Sequence, residues 1–208
     1  MSIQYDASDS KAESVVLDIL RIFNVVLFGE GNVGKTTFMK RCQGKEFEEK
    51  YLPTTGANVC PLMFQTSKGK IQLNVWDIGA SELHAKSDQD PGDFRIIRLC
   101  EYCREANADA IMIMFDRTSI SSFERMSYYY DGIQQCLNMC HLPFMICGNK
   151  CDLESHSTSD WELIAWRSDG RQKFPDYYDV SAKSDHFEKP WLNLMRKLTG
   201  DSELELTK

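Results

Sequence analysis

The stretch FNVVLFGEGNVGKTTF, residues 23–38, decides the fold. Its first six residues are an apolar, β-branched run of strand length. Gly29-Glu-Gly-Asn-Val-Gly-Lys35-Thr36 then fits G-x-x-x-x-G-K-[ST] without a mismatch. An amphipathic helical pattern follows from Lys35. A strand, a glycine-rich turn and a helix in that order make a phosphate cradle. Successive backbone N–H groups and the helix N-terminus converge on anionic oxygens. Glu30, Gly31, Asn32, Val33, Gly34, Lys35, Thr36 and Thr37 are the residues expected against the phosphates. Lys35 is expected to neutralise the β- and γ-phosphates, and the Thr36 hydroxyl to bind Mg²⁺. Asn32 stands where glycine is common, and Asn tolerates left-handed φ better than most residues.

Outward from this loop, strand and helix patterns alternate. Further strands are expected at 60–65, 71–76, 110–115, 143–147 and 177–180. TSKGK joins the second and third as a hairpin, with Gly69 free to take positive φ. Helices are expected at 35–41, 94–105, 121–140, 160–167 and 190–198. Ser121…Glu124 and Ser159…Glu162 read as capping boxes at two helix starts. The pattern predicts a six-stranded, mostly parallel α/β sheet with one antiparallel edge strand and about five helices on both faces. Residues 1–20 read as a partly disordered arm, with Ser14–Arg21 as an amphipathic turn or two leading into the first strand, 21–201 as one domain, and 202–208 as a short tail.

Composition bounds the class. The 208 residues suit one α/β domain, and 42% are apolar, enough for a sizeable core. A net charge of −7 argues against binding a nucleic-acid backbone. Eight cysteines at scattered spacings in a chain of this length point to free thiols in a reducing compartment. No apolar run reaches the ~18 residues of a membrane span. The start is acidic and polar, and no C-terminal prenylation motif is present, so no membrane anchor is expected. These features predict a monomer of the nucleus and cytoplasm.

Two later motifs read the base. GNKCD at 148–152 follows the fifth expected strand, and SAK at 181–183 follows the sixth. The Asp152 carboxylate is placed to accept from the N1–H and the N2 amine of guanine; adenine offers neither donor. Asn149 and Lys150 are expected to brace the loops, with Ser181 and Lys183 flanking an Ala182 N–H aimed at O6. Ligands of open α/β sheets bind at the carboxyl ends of strands, where all three motifs fall.

The order GxxxxGKT, then T, WD, NKxD and SAK resembles the small Ras-type GTPases. Within them the chain is most similar to the Ran type of nuclear transport, in GKTTFMKR (34–41), NVWD (74–77), CGNK (147–150), YYDVSAKSDHFEKPW (177–191) and RKLTGD (196–201). The resemblance runs from about residue 22 to 201 and fails at 78–105 and 153–175. It implies GTP and GDP as ligands, Mg²⁺ as cofactor, and transport receptors or other effectors, an exchange factor and an activator as partners. It further implies that Thr54 senses the γ-phosphate and ligates Mg²⁺, that Phe47 stacks on guanine, and that Asp77 holds Mg²⁺ through water.

Where the family carries D-x-x-G-Q-E, this chain has Asp77-Ile-Gly79-Ala80-Ser81-Glu82. Ala80 replaces the pivot glycine whose N–H meets the γ-phosphate, and its Cβ closes part of φ/ψ space. Ser81 replaces the glutamine that orients the attacking water, and a serine is too short for that task. Weak intrinsic hydrolysis is therefore expected, with a non-hydrolysing GTP-bound scaffold as the alternative. The acidic stretch 84–94 reads as an inserted loop, in which Gln89 could substitute. Cys100 and Cys103, with Cys136 and Cys140, are expected as core thiols rather than zinc ligands. The segment 153–173 is mixed in charge where Ran-type chains are basic, and the acidic C-terminal switch segment of those chains is expected to be either missing or cut off.

Overall fold

The computed structural model describes residues 19–50, 52–83, 94–137, 142–153, 176–184 and 187–207, with 19–20 and 136–137 described in backbone only. Six strands form one sheet: β1 (Ile19–Phe28), β2 (Ala57–Thr66), β3 (Gly69–Ile78), β4 (Ala110–Asp116), β5 (Phe144–Asn149) and β6 (Asp176–Asp179). Their spatial order is β2-β3-β1-β4-β5-β6. β2 and β3 pair antiparallel, and every other pairing is parallel. The expected mostly parallel sheet with one antiparallel edge strand is what forms.

The helices are α1 (Lys35–Cys42), α2 (Phe94–Glu105), α3 (Ile120–Leu137) and α4 (Glu188–Thr199), with a 3₁₀ turn at Ala80–Leu83. The expected helix at 160–167 and its capping box lie outside the described residues, as do Gln89, Cys140 and most of 153–173.

Side-chain alternation splits the core in two. On β1, Val25 and Leu27 face α1 and α4, while Val26 and Phe28 face α2 and α3. On β4, Met112 and Met114 join the first layer, and Ile111, Ile113 and Phe115 the second. Both faces of β4 are buried, so its sequence is a continuous apolar run. Trp191 anchors the first layer, stacked on Phe38 with ring centroids 6.0 Å apart. Cys100 and Cys103 are core members of the second, and burial pushes the Cys103 thiol up to about 12. Both fill space in this layer.

Most boundaries shift by one to three residues from the sequence reading, and three differences have identifiable contacts behind them. β1 begins at Ile19, because Ile19 and Arg21 already pair with Lys70 and Ile71 across a bulge; the turn of helix expected before Ile22 is strand from residue 19. α3 is capped by Ser119 rather than Ser121: the helix starts at Ile120, and the Ser122 N–H donates to Ser119 Oγ at 3.3 Å. Residues 202–207 dock onto the hairpin. Ser67 N–H donates to the Glu205 carbonyl at 2.8 Å, Thr207 N–H to the Gln65 carbonyl at 2.9 Å, and Leu204 is buried. The hairpin itself turns as expected, with Gly69 at φ 103°.

Candidate functional site: a phosphate cradle and a guanine pocket

The parallel strands deliver their carboxyl ends to one rim of the sheet. β1 ends in the phosphate loop, β3 in Asp77, β5 in Asn149, and the loop after β6 begins at Ser181. Along this rim runs a cavity of about 330 Å³.

The phosphate loop has the geometry its glycines predict. Gly29 is at φ 152° and Gly34 at φ 96°; a Cβ on Gly29 would lie 2.0 Å from the Met114 carbonyl oxygen, and one on Gly34 2.3 Å from Asn149 Nδ2. No other residue fits either place. Asn32 takes left-handed φ, 61°. Lys35 Nζ donates to the carbonyls of Gly29 and Glu30, each at 2.9 Å, so the lysine arches across its own loop. Burial lowers its pKa to about 8, against the pull of the Asp77 and Glu30 carboxylates. A polyanion in the cradle would favour the charged form again. Gly31, Asn32, Gly34, Lys35, Thr36 and Thr37 line the cavity.

Glu30 and Val33 do not present side chains there. The Glu30 carboxylate turns away to Tyr129 Oη at 2.9 Å and Arg125 Nε at 3.2 Å, both on α3. Val33 is core, and its carbonyl accepts from Asn149 Nδ2 at 2.8 Å. Their share in phosphate binding is left to the backbone.

The expected metal ligands converge. Thr36 Oγ1 lies 2.7 Å from Thr54 Oγ1 and 2.5 Å from Asp77 Oδ2. Asp77 Oδ1 is buried without a hydrogen-bond partner. Burial raises the Asp77 carboxyl, opposed by the Thr36 hydroxyl and the Lys35 ammonium. Two hydroxyls, a carboxylate with an uncompensated oxygen and an adjoining phosphate cradle make a hard-oxygen set that fits Mg²⁺.

At the other end, Asp152, Lys150, Phe47, Ala182 and Lys183 line the same cavity. Asp152 Oδ1 accepts from Ser181 Oγ at 2.6 Å, and Ser181 Oγ in turn accepts from the N–H groups of Lys183 and Ser184. Asn149 bridges the two halves of the site, donating to Val33 and accepting from the Ala182 N–H at 3.1 Å. Ser181 is fully buried and acts by holding Asp152.

Groups suited to a base thus stand at one end of the cavity, and groups suited to phosphates and a divalent cation at the other. A family model described as the Ras family matches residues 24–199. The chain belongs to the Ras family. Ras-family proteins are small GTPase switches that bind guanine nucleotide with Mg²⁺, and the four helices and six strands here fit that domain. By the sequence resemblance, the loop that carries Thr54 would be switch I, and the segment from Gly79 would open switch II.

The divergent segment is ordered from 79 to 83. Gly79 packs on switch I: a Cβ there would lie 2.1 Å from the Thr54 carbonyl oxygen. Ala80, beside it, lines the cavity at ordinary negative φ. The glycine has thus moved to the position that switch I crosses. Ser81 Oγ donates to the Thr54 carbonyl at 3.4 Å.

Sequence reasoning missed several participants. Lys40, Glu48, Leu52 and Leu153 also line the cavity. Lys150, at φ 64°, is paired with Asp116 at 2.6 Å, and Asp116 is held by the Thr118 amide and hydroxyl. Glu82 bonds to switch I, and nothing in its local sequence signals this. Asp116 carried a signal, as an acid ending an apolar strand in the same way as Asp77.

Proposed function

We propose that this chain is a guanine-nucleotide switch with weakened hydrolysis, of the Ran type, working in protein traffic between nucleus and cytoplasm through GTP-dependent contact with transport receptors. The observation that carries nucleotide and Mg²⁺ binding is the convergence of Thr36, Thr54 and Asp77 beside the Lys35 loop, with Asp77 Oδ1 otherwise unpartnered. Bound Mg²⁺ would neutralise charge on the β- and γ-phosphate oxygens. Lys35 binds the phosphates, Asn149 ties the phosphate loop to the base loop, and Asp152 selects guanine.

Weak hydrolysis is supported by Ser81, whose hydroxyl is engaged by the Thr54 carbonyl. The transport reading is supported by the sequence resemblance around 34–41 and 177–201. Its test is a binding assay with importin-type receptors and the protein loaded with GDP or a non-hydrolysable GTP analogue. Tighter binding to the analogue form supports the role; equal or absent binding rejects it. The second reading, a GTP-binding scaffold that does not cycle, is favoured by the contacts that clasp switch I to residues 79–82, among them Gly79 N–H to the Gly56 carbonyl at 2.9 Å. A multiple-turnover assay with an exchange reagent separates the two.

A further inference from the structure

Switch I is joined to the start of switch II by bonds between protein atoms alone. Gly79 N–H donates to the Gly56 carbonyl at 2.9 Å. Gly56 N–H donates to Glu82 Oε1 at 3.0 Å. Both polar groups of one switch I peptide residue are thus used on the 79–82 segment. The other carboxylate oxygen, Glu82 Oε2, accepts from Tyr102 Oη on α2 at 3.1 Å. Tyr102 is buried, and the Arg98 guanidinium sits 5.0 Å over its ring and donates to its hydroxyl at 3.4 Å. Arg98 is itself paired with Glu101. The next residue, Leu83, is buried in the layer that holds Ile96 and Leu99. Glu82 therefore spans from α2 to the backbone of switch I, with a donor on each oxygen.

We propose that Glu82, positioned by Tyr102, is a latch that closes switch I on residues 79–82 without requiring the γ-phosphate, and so narrows the difference between the GTP and GDP forms. The proposal rests on the reading of the chain as a guanine-nucleotide switch. A ligand shifts a two-state equilibrium only by its differential affinity for the two states. Where the γ-phosphate supplies most of the closing interactions, the GDP form opens. Here a charge-assisted bond from the Gly56 amide is added, and neither of its partners is a nucleotide atom. Burial and the neighbouring Glu82 carboxylate raise the Tyr102 phenol, so it remains a donor. The latch costs switching contrast, which is the property a signalling cycle needs and a constitutive binder does not.

The test is amide hydrogen exchange at residues 52–60 in the full chain loaded with GDP or with a non-hydrolysable GTP analogue. Bound nucleotide is first quantified by acid release and chromatography. In the wild type, exchange in the two forms is expected to agree within about ten-fold. In Glu82→Ala, the GDP form is expected to exchange more than about ten-fold faster than the analogue form, the scale of one lost charge-assisted bond. Release of the GTP analogue should quicken by a similar factor, with GDP release little changed. Tyr102→Phe removes one hydroxyl and keeps the packing, so it loosens the GDP form in the same direction and decides the matter where Glu82→Ala does not fold. A wild-type GDP form that already exchanges more than ten-fold faster, or variants whose exchange is unchanged while nucleotide is retained, overturns the latch alone. No retained guanine nucleotide overturns the functional reading, and the latch with it.

Discussion

At the scale of single residues, the site divides into groups with local signals and groups without them. Asp152, Asn149, Thr36 and Asp77 were legible because each sits at a fixed offset from a strand end. The structure gives each the neighbour its chemistry requires. Lys150 was legible as a loop residue, but its pairing with Asp116 was not, since 34 residues (150 − 116) separate the partners. Asp152 carries the sharpest prediction. Asp152→Asn replaces an acceptor by a donor at the guanine N2 amine and leaves a second acceptor for Ser181. GTP affinity should fall by roughly 100-fold or more, from loss of charge-assisted bonds worth about 1.5–3 kcal/mol each. Affinity for xanthosine triphosphate, which offers a carbonyl at C2, should rise. Competitive binding of the two nucleotides checks this, and an unchanged preference would remove Asp152 from base recognition.

At the scale of elements, periodicity located every described strand and helix, because both sheet faces are buried and the apolar runs are unambiguous. Boundaries were less legible where a side chain chooses between neighbours. Ser119 and Ser121 both precede an apolar helical pattern. The structure gives the cap to Ser119 and leaves Ser121 Oγ beside it at 3.0 Å. Ser119→Ala should destabilise the fold by about 1 kcal/mol, the usual worth of an N-cap, and Ser121→Ala by only a few tenths. Denaturant midpoints of the two variants measure the difference, and the opposite order would return the cap to Ser121. The Glu82 contacts lie at this scale too. They join a loop, a 3₁₀ turn and a helix, none of which is in register with the others in sequence.

At the scale of the whole molecule, the docked segment 202–207 was the least legible feature. The sequence reads it only as a short tail, and the fold shows the β2–β3 hairpin on which it docks. There Leu204 enters the α1/α4 layer and its carbonyl accepts from Arg196 Nε at 2.9 Å. Leu204→Ala should cost about 2–4 kcal/mol as a cavity in a packed layer. At roughly 2–4 °C per kcal/mol for a domain of this size, Tm should fall by about 4–16 °C. The nucleotide site lies across the sheet rim, so GDP affinity should change little. A thermal melt with an unchanged midpoint would show that the segment does not pack there in solution.

The central proposal joins all three scales: a cradle, cation ligands and a base pocket that would hold nucleotide, with Ala80 and Ser81 proposed to weaken the chemistry between them. Single-turnover hydrolysis of GTP preloaded on the wild type and on an Ala80→Gly, Ser81→Gln double variant tests it most directly. The account predicts that the wild type holds GTP with little phosphate released and that the double variant hydrolyses it at least ten-fold faster. Rapid hydrolysis by the wild type, with no gain in the double variant, would contradict the claim and move the search for the water-orienting group to Gln89.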